Sequence, residues 1–400
     1  MQKFSQEKKQ VIRRVKNEVD NIFPQLIQFR RKLHRNPETA WKEFETTGNI
    51  IEFLQAYRYT KIIRPLQTGL VTDFIVDPEK PLIALRADID ALPLQDEKEV
   101  DYSSQNPGVC HACGHDVHTT VMCGVAAVLS KLNISPPVNV RFIFQPAEEP
   151  IPSGAPKLLE KGVLKNVKSV WGMHVEPELP LGTISLTGGW VNAQSIRIEW
   201  EIKGSGGHSA RPHLTANALL TGTQLVQKVL QTINSRWNRP DSPVILSFTK
   251  FHSGETYNAI PKSTFLTATL RLTDSQFPDK IISDIESLNR EIETSNGVHI
   301  IMKNIAGAPP VVNDSNIVNK FVENVENSDD LNVKIEPDFR SMGGDDFGWY
   351  ANQIPSALLR FGISGKKNSP QLHTGLFDVN EDVVNIAVKF FIYQILLRSP

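Results

Sequence analysis

The sequence predicts an α/β protein of two domains, in which a smaller α+β domain of ferredoxin-like topology is inserted into the larger one. Three observations support this prediction. The chain has 400 residues, more than one hydrophobic core usually organises. Helical periodicity alternates with apolar strand-like runs over residues 1–187 and again over 305–400. Between them, residues 188–304 favour half-buried strands, and we expect this segment to be the inserted domain.

The larger domain is predicted to begin with a long helix over residues 7–35, whose apolar side chains recur at helical spacing. The strand predicted at 81–88 is almost continuously apolar, as a buried central strand is. The other predicted helices lie near 45–57, 116–132, 157–164, 316–325 and 381–397, with a short one after 347. The other predicted strands lie at 69–76, 138–144, 169–175, 333–336 and 356–363.

The inserted domain is predicted to follow the order β-α-β-β-α-β. Its strands are expected at 191–203, 243–253, 263–272 and 298–303, and its helices at 216–233 and 279–295. This order is the ferredoxin-like arrangement, with one antiparallel sheet and both helices on one face. A glycine-rich loop at 204–213 lacks the lysine and the spacing of phosphate-binding loops, so we expect no phosphate site there.

Composition excludes several classes of protein. The formal net charge is −1, and no basic stretch is typical of a nucleic-acid interface. No apolar run approaches the roughly 18–20 residues needed to cross a bilayer, and the N-terminus lacks the apolar core of a signal peptide. Only three cysteines are present, which is typical of a reducing compartment. We predict a cytoplasmic protein with no nucleic-acid or membrane partner.

The densest chemistry lies at residues 110–120, which contain two of the three cysteines and three of the ten histidines. Cysteine and histidine bind divalent metals of borderline softness, and carboxylates can complete the set of ligands. Cys113 and His115 are two residues apart, which in an extended segment would point both side chains to one side. Asp116 is interpreted as a helix cap or as the acceptor for a ligand imidazole. The alternative is a buried, polar helix start with free thiols.

Acidic residues follow two of the predicted apolar strands. Asp88 and Asp90 lie at the end of the first, where open α/β sheets place their sites, although a solvated loop would contain the same acids. Glu148 and Glu149 end the second, and buried carboxylates are costly unless something positive is near. Adjacent side chains diverge in extended backbone, so one carboxylate can bind metal while the other serves as a base. His174 lies near a third strand end and is either a ligand or a satisfied core histidine.

Taken in order, these segments resemble the M20 family of metallopeptidases and amidohydrolases. Within it, the resemblance is to N-acyl-amino-acid amidohydrolases, hippurate hydrolases and auxin-conjugate hydrolases. It rests on motifs at residues 31–38 (RKLHRNPE), 86–93 (RADIDALP), 111–119 (HACGHDVHT), 144–149 (FQPAEE), 172–175 (GMHV), 206–208 (GGH), 258–261 (NAIP) and 372–373 (LH). The family fold is an α/β metallohydrolase catalytic domain with an inserted ferredoxin-like domain that serves in dimerisation or as a lid.

The resemblance also implies site residues. It implies two divalent metal ions, zinc or manganese with cobalt or nickel as alternatives, held by Cys113, His115, Glu149, His174 and His373. Glu148 would be the general base and acid, and Asp90 would support a ligand. His208 and Asn258, on the inserted domain, would contact the substrate. In this family these contacts often come from the partner subunit, so a homodimer through the inserted domain is expected.

The implied reaction is hydrolysis of an N-acyl amino acid to a carboxylate and a free amino acid, by a hydroxide that bridges the two metals. Departures from the usual motifs occur at Asn217–Ala218, Ala259, Gly344–Asp345 and Thr374–Gly375, and they leave the acyl and amino-acid preference open. Three alternatives to this hydrolase are a dipeptidase or aminopeptidase acting on short peptides, a thiol enzyme with Cys113 as nucleophile, and a catalytically silent binding protein.

Overall fold

The computed structural model describes residues 6–132, 134–328, 331–364 and 369–397. The chain forms two compact units. The large unit comprises Met1–Val191, Val312–Arg340 and Trp349–Pro400, and the small unit comprises Asn192–Val311 and Ser341–Gly348. The α/β class and the inserted α+β unit predicted from the sequence are both confirmed.

The helices of the large unit form where the sequence predicts them. In the first, Val15, Val19 and Leu26 are fully buried, which confirms the apolar face predicted from their spacing. This helix packs against the helix that begins at His115 and against the C-terminal helix. The helices are Gln6–Arg35, Phe44–Ala56, His115–Lys131, Gly154–Glu160, Ser315–Glu326, Gly348–Ala351, which spans the unit boundary, and Asp382–Leu396.

An eight-stranded mixed sheet forms the centre of the large unit. In spatial order its strands are Ile62–Ile63, Leu70–Phe74, Asn139–Gln145, Leu82–Asp88, Val167–Pro180, Ser356–Ser364, Thr183–Ser185 and Lys334–Glu336. Two short strands were not predicted, Ile62–Ile63 at one edge of the sheet and Thr183–Ser185 inside it, because so few residues show no clear periodicity.

Three neighbouring parallel strands place their chemistry at one level of this sheet. Asp88 pairs with Gln145 on one side. On the other side Arg86 pairs with Gly172, so His174, two residues further along, lies level with Asp88. The carboxyl ends of these strands therefore bring together the acids and the histidine that the sequence had assigned to separate strand ends.

The small unit contains a four-stranded antiparallel sheet in the spatial order Val244–Ser253, Ser263–Leu272, Gln194–Lys203 and His299–Ala306. Helices Ala218–Thr232 and Pro278–Asn296 share one hydrophobic core with this sheet. This is the predicted ferredoxin-like topology. Shorter elements of this unit are the paired strands Gly207–His208 and Ala259–Ile260, the 3-10 helix Pro212–Leu214 and the π-helix Ile233–Trp237. A further pair of strands, Gly189–Asn192 and Val311–Asn313, lies mostly within the residues of the large unit.

None of the helices in the described parts of the chain has the length and apolar content that a membrane span requires.

Candidate metal centre

Cys113 and His115 are brought together by a sharp turn at Gly114. Gly114 has φ +80° and precedes the helix that begins at His115. A Cβ atom at this position would lie 2.4 Å from Cγ2 of Val175, so only glycine fits. The sequence interpretation assumed an extended segment here, and that assumption is wrong. The left-handed turn achieves the same result, because the sulfur of Cys113 and a ring nitrogen of His115 lie within 4.8 Å of each other and of a nitrogen of His174.

All five predicted ligands and the predicted base lie in one cluster of the large unit. Sγ of Cys113 is 3.4 Å from Nε2 of His174. Glu149 Oε1 is 3.4 Å from Nε2 of His373, and these two residues form a second potential metal-binding group with Cys113. His115, Glu148 and Glu149 form a third. The three groups share members and so form one continuous cluster of potential ligand atoms.

The two buried histidines of this cluster each have one nitrogen free to bind a metal. Nδ1 of His115 donates to the carbonyl oxygen of Asp90 at 2.9 Å, so Nε2 is the ring atom that can bind a metal. Nδ1 of His174 donates to the carbonyl oxygen of Val175 at 2.6 Å, which leaves its Nε2 for the same role. An acceptor on one ring nitrogen that fixes the tautomer of the other is characteristic of metal-binding histidines.

The cluster also contains buried ligand atoms that have no hydrogen-bond partner in the described part of the chain, and these suit the binding of divalent cations. Among the described residues, neither Nε2 of His115 nor Oε1 of Glu149 has a hydrogen-bond partner, although both are buried. Buried polar atoms usually have a hydrogen-bond partner, and two without one in a cluster of Cys, His and Glu fit the donor set of a divalent cation. Burial raises the pKa of the Cys113 thiol well above its usual value and lowers the pKa of His174 well below it. Bound cations reverse such a shift for a coordinating thiol.

Asp90 connects the histidine side of the cluster to the glutamate side. Its side chain is almost fully buried, and Oδ1 lies 3.3 Å from Nδ1 of His115. Its Oδ1 and Oδ2 also accept the backbone N–H groups of Glu148 and Glu149, at 3.0 and 3.2 Å. Asp90 is thus placed to orient residues on both sides of the cluster.

Asp88 belongs to the site as well, although the sequence analysis assigned it no role. Its carboxylate contacts Nη1 of Arg86 and Nδ1 of His118, both at 2.6 Å, and lies 3.8 Å from Nε2 of His115. Burial alone would raise the pKa of Asp88, but the neighbouring His115, His118 and Arg86 hold the pKa of this carboxyl well below its usual value. The sequence contained a signal for this pair, because Arg86 precedes Asp88 by two residues in an apolar strand and both side chains therefore lie on the same face of the sheet.

Asp116 neither caps the helix nor accepts from a metal-binding imidazole, and both interpretations made from the sequence are wrong. Its Oδ2 lies 2.7 Å from Nε of Arg30 and 2.8 Å from Nδ1 of His34, and all three side chains are buried. The arginine comes from the first helix, and only the fold brings it to this position. The residue at the N-terminal cap of the helix is Gly114.

A separate group with metal-ligand chemistry, outside this cluster, consists of His34, Asp96 and Cys110. The ammonium group of Lys98 lies 2.8 Å from Oδ1 of Asp96 and 3.8 Å from Sγ of Cys110. Because Lys98 supplies the positive charge that this group needs, we assign it no metal.

The two predicted substrate contacts lie close together in the small unit. His208 pairs with Ala259 in a two-residue antiparallel ladder, next to Asn258. Nδ1 of His208 accepts the backbone N–H of Ala210 at 3.0 Å, which fixes the orientation of the ring. The side chains of both His208 and Asn258 are exposed.

Comparison with known proteins identifies relatives along most of the chain. A model of peptidase family M20/M25/M40 matches residues 84–396. The N-acetyl-L-cysteine deacetylase of Bacillus subtilis (strain 168) is 36% identical over 372 residues, which cover 92% of this chain and 87% of that protein. The N-acyl-L-amino acid amidohydrolase of Geobacillus stearothermophilus is 35% identical over 299 residues, or 75% of this chain and 80% of that one.

A solved structure supports the same relationship. The YXEP protein of Bacillus subtilis, described as a dinuclear metal binding peptidase from the M20 family, superimposes with a TM-score of 0.82 at 30% identity. The match covers 94% of this chain and 98% of that chain.

Proposed function

The chain belongs to peptidase family M20/M25/M40, a family of amide-bond hydrolases, and we propose that it cleaves N-acyl amino acids in a metal-dependent reaction. The products would be the acyl carboxylate and the free amino acid. One observation carries this proposal. His115, Glu148 and Glu149 meet in one cluster, in which buried ligand atoms of His115 and Glu149 have no hydrogen-bond partner among the described residues while Glu148 remains partly open to solvent.

In this proposal Cys113, His115, Glu149, His174 and His373 hold two divalent cations. Zinc or manganese suits the ligand set best, and cobalt or nickel is compatible with it. Such ions polarise an amide carbonyl and make water more acidic. The protein's part is to orient the two buried imidazoles through the hydrogen bonds of Nδ1, so that Nε2 of each would bind the metal, and to present the carboxylate of Glu149 beside Cys113 and His373.

Glu148 is the proposed general base and acid. Its Oε2 lies 3.9 Å from Nε2 of His115, and 12% of its side chain is exposed, so water and substrate can reach it. It removes a proton from the attacking water as the oxygen bonds to the carbonyl carbon. It then delivers that proton to the amide nitrogen as the C–N bond breaks, so that one water is consumed for each amide cleaved. Asp90 would hold the backbone of Glu148 during both transfers.

His208 and Asn258 are the proposed substrate contacts, and the small unit is the proposed surface for a homodimer. Support for these roles comes from the family motifs at 206–208 and 258–261. The exposed side chains of His208 and Asn258 are available for such contacts.

A nucleophilic role for Cys113 is a poorer fit to the site. Burial raises the pKa of its thiol, whereas a nucleophilic cysteine needs a lowered one. The sulfur also lies within 4.8 Å of ligand atoms of three histidines, His115, His174 and His373, an arrangement that suits a metal ligand.

The test is hydrolysis of a panel of N-acetyl, hippuryl and long-chain acyl amino acids, together with dipeptides, before and after removal of metal by a chelator. We expect release of a free amino acid from an N-acyl substrate, loss of this activity with the metal, and its return when metal is added back. Cleavage of dipeptides alone would favour the peptidase alternative. Cleavage that is indifferent to the chelator would contradict the mechanism.

A further inference from the structure

Glu43 is a buried acid whose carboxylate turns away from its own helix. It precedes helix Phe44–Ala56 and is fully buried. An acid at this position commonly accepts from the free N–H groups of the first turn. Here Glu38 does so instead, since its two carboxylate oxygens accept from the N–H groups of Glu45 and Thr46 at 3.1 and 2.7 Å. The carboxylate of Glu43 is therefore available for another role.

That carboxylate binds the segment that leads into the two glutamates of the metal centre. Oε1 of Glu43 accepts the backbone N–H of Ala147 at 2.8 Å and that of Trp41 at 2.9 Å. Ala147 and Trp41 both have left-handed backbone conformations, with φ of 53° and 67°. Residues with a side chain adopt this conformation at a cost, so the surrounding structure must hold them in it. Hydrogen bonds to a buried carboxylate are strong enough to do this.

The same arrangement continues along the next two residues. The N–H of Ala147 donates to the carboxylate of Glu43, and the N–H groups of Glu148 and Glu149 donate to the carboxylate of Asp90. The carbonyl oxygen of Ala147 accepts from the N–H of Gly154 at 2.7 Å. Three consecutive N–H groups are thus fixed by two buried carboxylates, and the directions in which the Glu148 and Glu149 side chains leave the backbone are fixed with them.

We propose that Glu43 is a positioning residue of the metal centre. Its carboxylate holds Ala147 in the left-handed conformation, and this aims the side chain of Glu148 at the substrate amide and that of Glu149 at the metal. Glu43 acts through the backbone of Ala147. The part of this inference that concerns Glu148 rests on the proposed function. The part that concerns Glu149 rests on metal binding alone.

The experiment compares Glu43→Ala with Glu38→Ala, a matched acid of the same segment that caps the helix. Metal affinity is measured by competition with a chromophoric chelator, kcat and KM on the best N-acyl substrate, and Tm by calorimetry. For Glu43→Ala we expect metal affinity and kcat each to fall by about 10–100-fold, with KM within about threefold of wild type. For Glu38→Ala we expect Tm to fall by about 2–4 °C while metal affinity and kcat are unchanged.

Two further variants keep the test decisive if Glu43→Ala does not fold. Glu43→Gln keeps an acceptor oxygen at the same reach, so it should recover most of the lost affinity and kcat. Glu43→Asp keeps the charge but is one methylene shorter, so it should lose both, as the alanine variant does. If Glu43→Asp behaves like wild type, or if Glu43 and Glu38 variants lose metal affinity and kcat in proportion to Tm, Glu43 is only a stabilising residue and the proposal is wrong.

Failure of this inference can be told from failure of the proposed function. Chelator competition needs no substrate, so the effect of Glu43 on metal affinity is measured whatever the enzyme cleaves. A wild-type protein that binds metal but releases no amino acid from any N-acyl substrate would overturn the proposed function alone.

Discussion

Asp88 accepts a hydrogen bond of 2.6 Å from Nδ1 of His118, and the other ring nitrogen of His118 accepts the backbone N–H of Val175 at 3.0 Å. Both nitrogens of His118 are therefore engaged within the protein. His118 lies among residues with metal-ligand chemistry, yet this relationship makes it a structural link between two strands of the sheet. Asp88 in turn balances the charge of Arg86, which is equally buried.

Replacement of Asp88 by asparagine should destabilise the fold strongly. It removes the carboxylate that lies 2.6 Å from the buried guanidinium of Arg86, and breaking a buried pair in this way typically costs about 3–5 kcal/mol. Urea unfolding of the metal-free protein measures the loss. Asp101→Asn is the matched control, because Asp101 is 70% exposed and pairs with Arg31 and Arg35 at the surface, where such pairs contribute about 0–1 kcal/mol. Equal losses in the two variants would contradict the role given to Asp88.

The two adjacent glutamates should separate catalysis from metal binding. Glu148→Gln should retain the metal of wild type and lose kcat by about 10²–10⁴-fold, since it removes only a proton-transfer group. Glu149→Gln should lose metal, because it replaces a charged ligand beside His373 and Cys113. Metal content per chain and kcat at saturating metal are measured on both variants. Appreciable turnover by Glu148→Gln would remove Glu148 from its proposed role.

Much of the architecture was predictable because it depends on local periodicity. The apolar spacing from Val15 to Leu26 predicts the first helix and the face that it buries. The near-continuous apolar run that ends at Asp88 predicts a central strand, and the structure places it between two parallel neighbours. The family resemblance inferred from the motifs is confirmed by the match over residues 84–396.

The contacts that position the site were less predictable, since they join residues far apart in the chain. Arg30 reaches Asp116 from a helix 86 positions earlier in the sequence, and Glu43 reaches Ala147 across 104. Neither pairing has a local signature. The left-handed turn at Gly114 was also missed, because a glycine between two ligands is equally compatible with an extended segment.

The two cysteines of the Cys110–Cys113 segment should differ in their effect on metal content. Cys113→Ser should lower metal content, because the sulfur of Cys113 belongs to two of the potential metal-binding groups. Cys110→Ser should leave it unchanged, because the ammonium of Lys98 already provides the positive charge beside Asp96 and Cys110. Elemental analysis after extensive dialysis measures both. Loss of about one ion per chain in Cys110→Ser would show that His34, Asp96 and Cys110 bind metal after all.

Asp96 should make the fold sensitive to acid. Burial would raise its pKa, but His34, Lys98 and the backbone N–H groups of Lys98 and Ser104 hold the pKa well below the usual value of 3.8. A carboxyl with a lowered pKa in the folded state stabilises the fold fully above its unfolded pKa, and the contribution is lost as the pH falls below it. Wild type should therefore lose free energy of unfolding more steeply below about pH 4 than Asp96→Asn. The measurement is urea unfolding at pH 7, 5 and 3.5, and parallel curves for the two proteins would contradict it.

Gly375, one of the departures from the family motif, should not tolerate alanine. A Cβ atom there would lie 2.5 Å from the carbonyl oxygen of Gln95 and 2.7 Å from Cγ of Glu97, whose N–H donates to the Gly375 carbonyl at 2.9 Å. Because one of these atoms is backbone, the segment must move, and we expect a loss of about 1–3 kcal/mol in the free energy of unfolding. The shift would also disturb His373, two residues away, so metal affinity should fall.

Gly48→Ala provides the opposite case, since Gly48 lies in helix Phe44–Ala56 with nothing within 4 Å of a new Cβ. That variant should gain about 0.5–1 kcal/mol and keep its metal affinity. If Gly375→Ala is as stable as Gly48→Ala, the packing of this segment does not restrict position 375, and the departure from the motif has another cause.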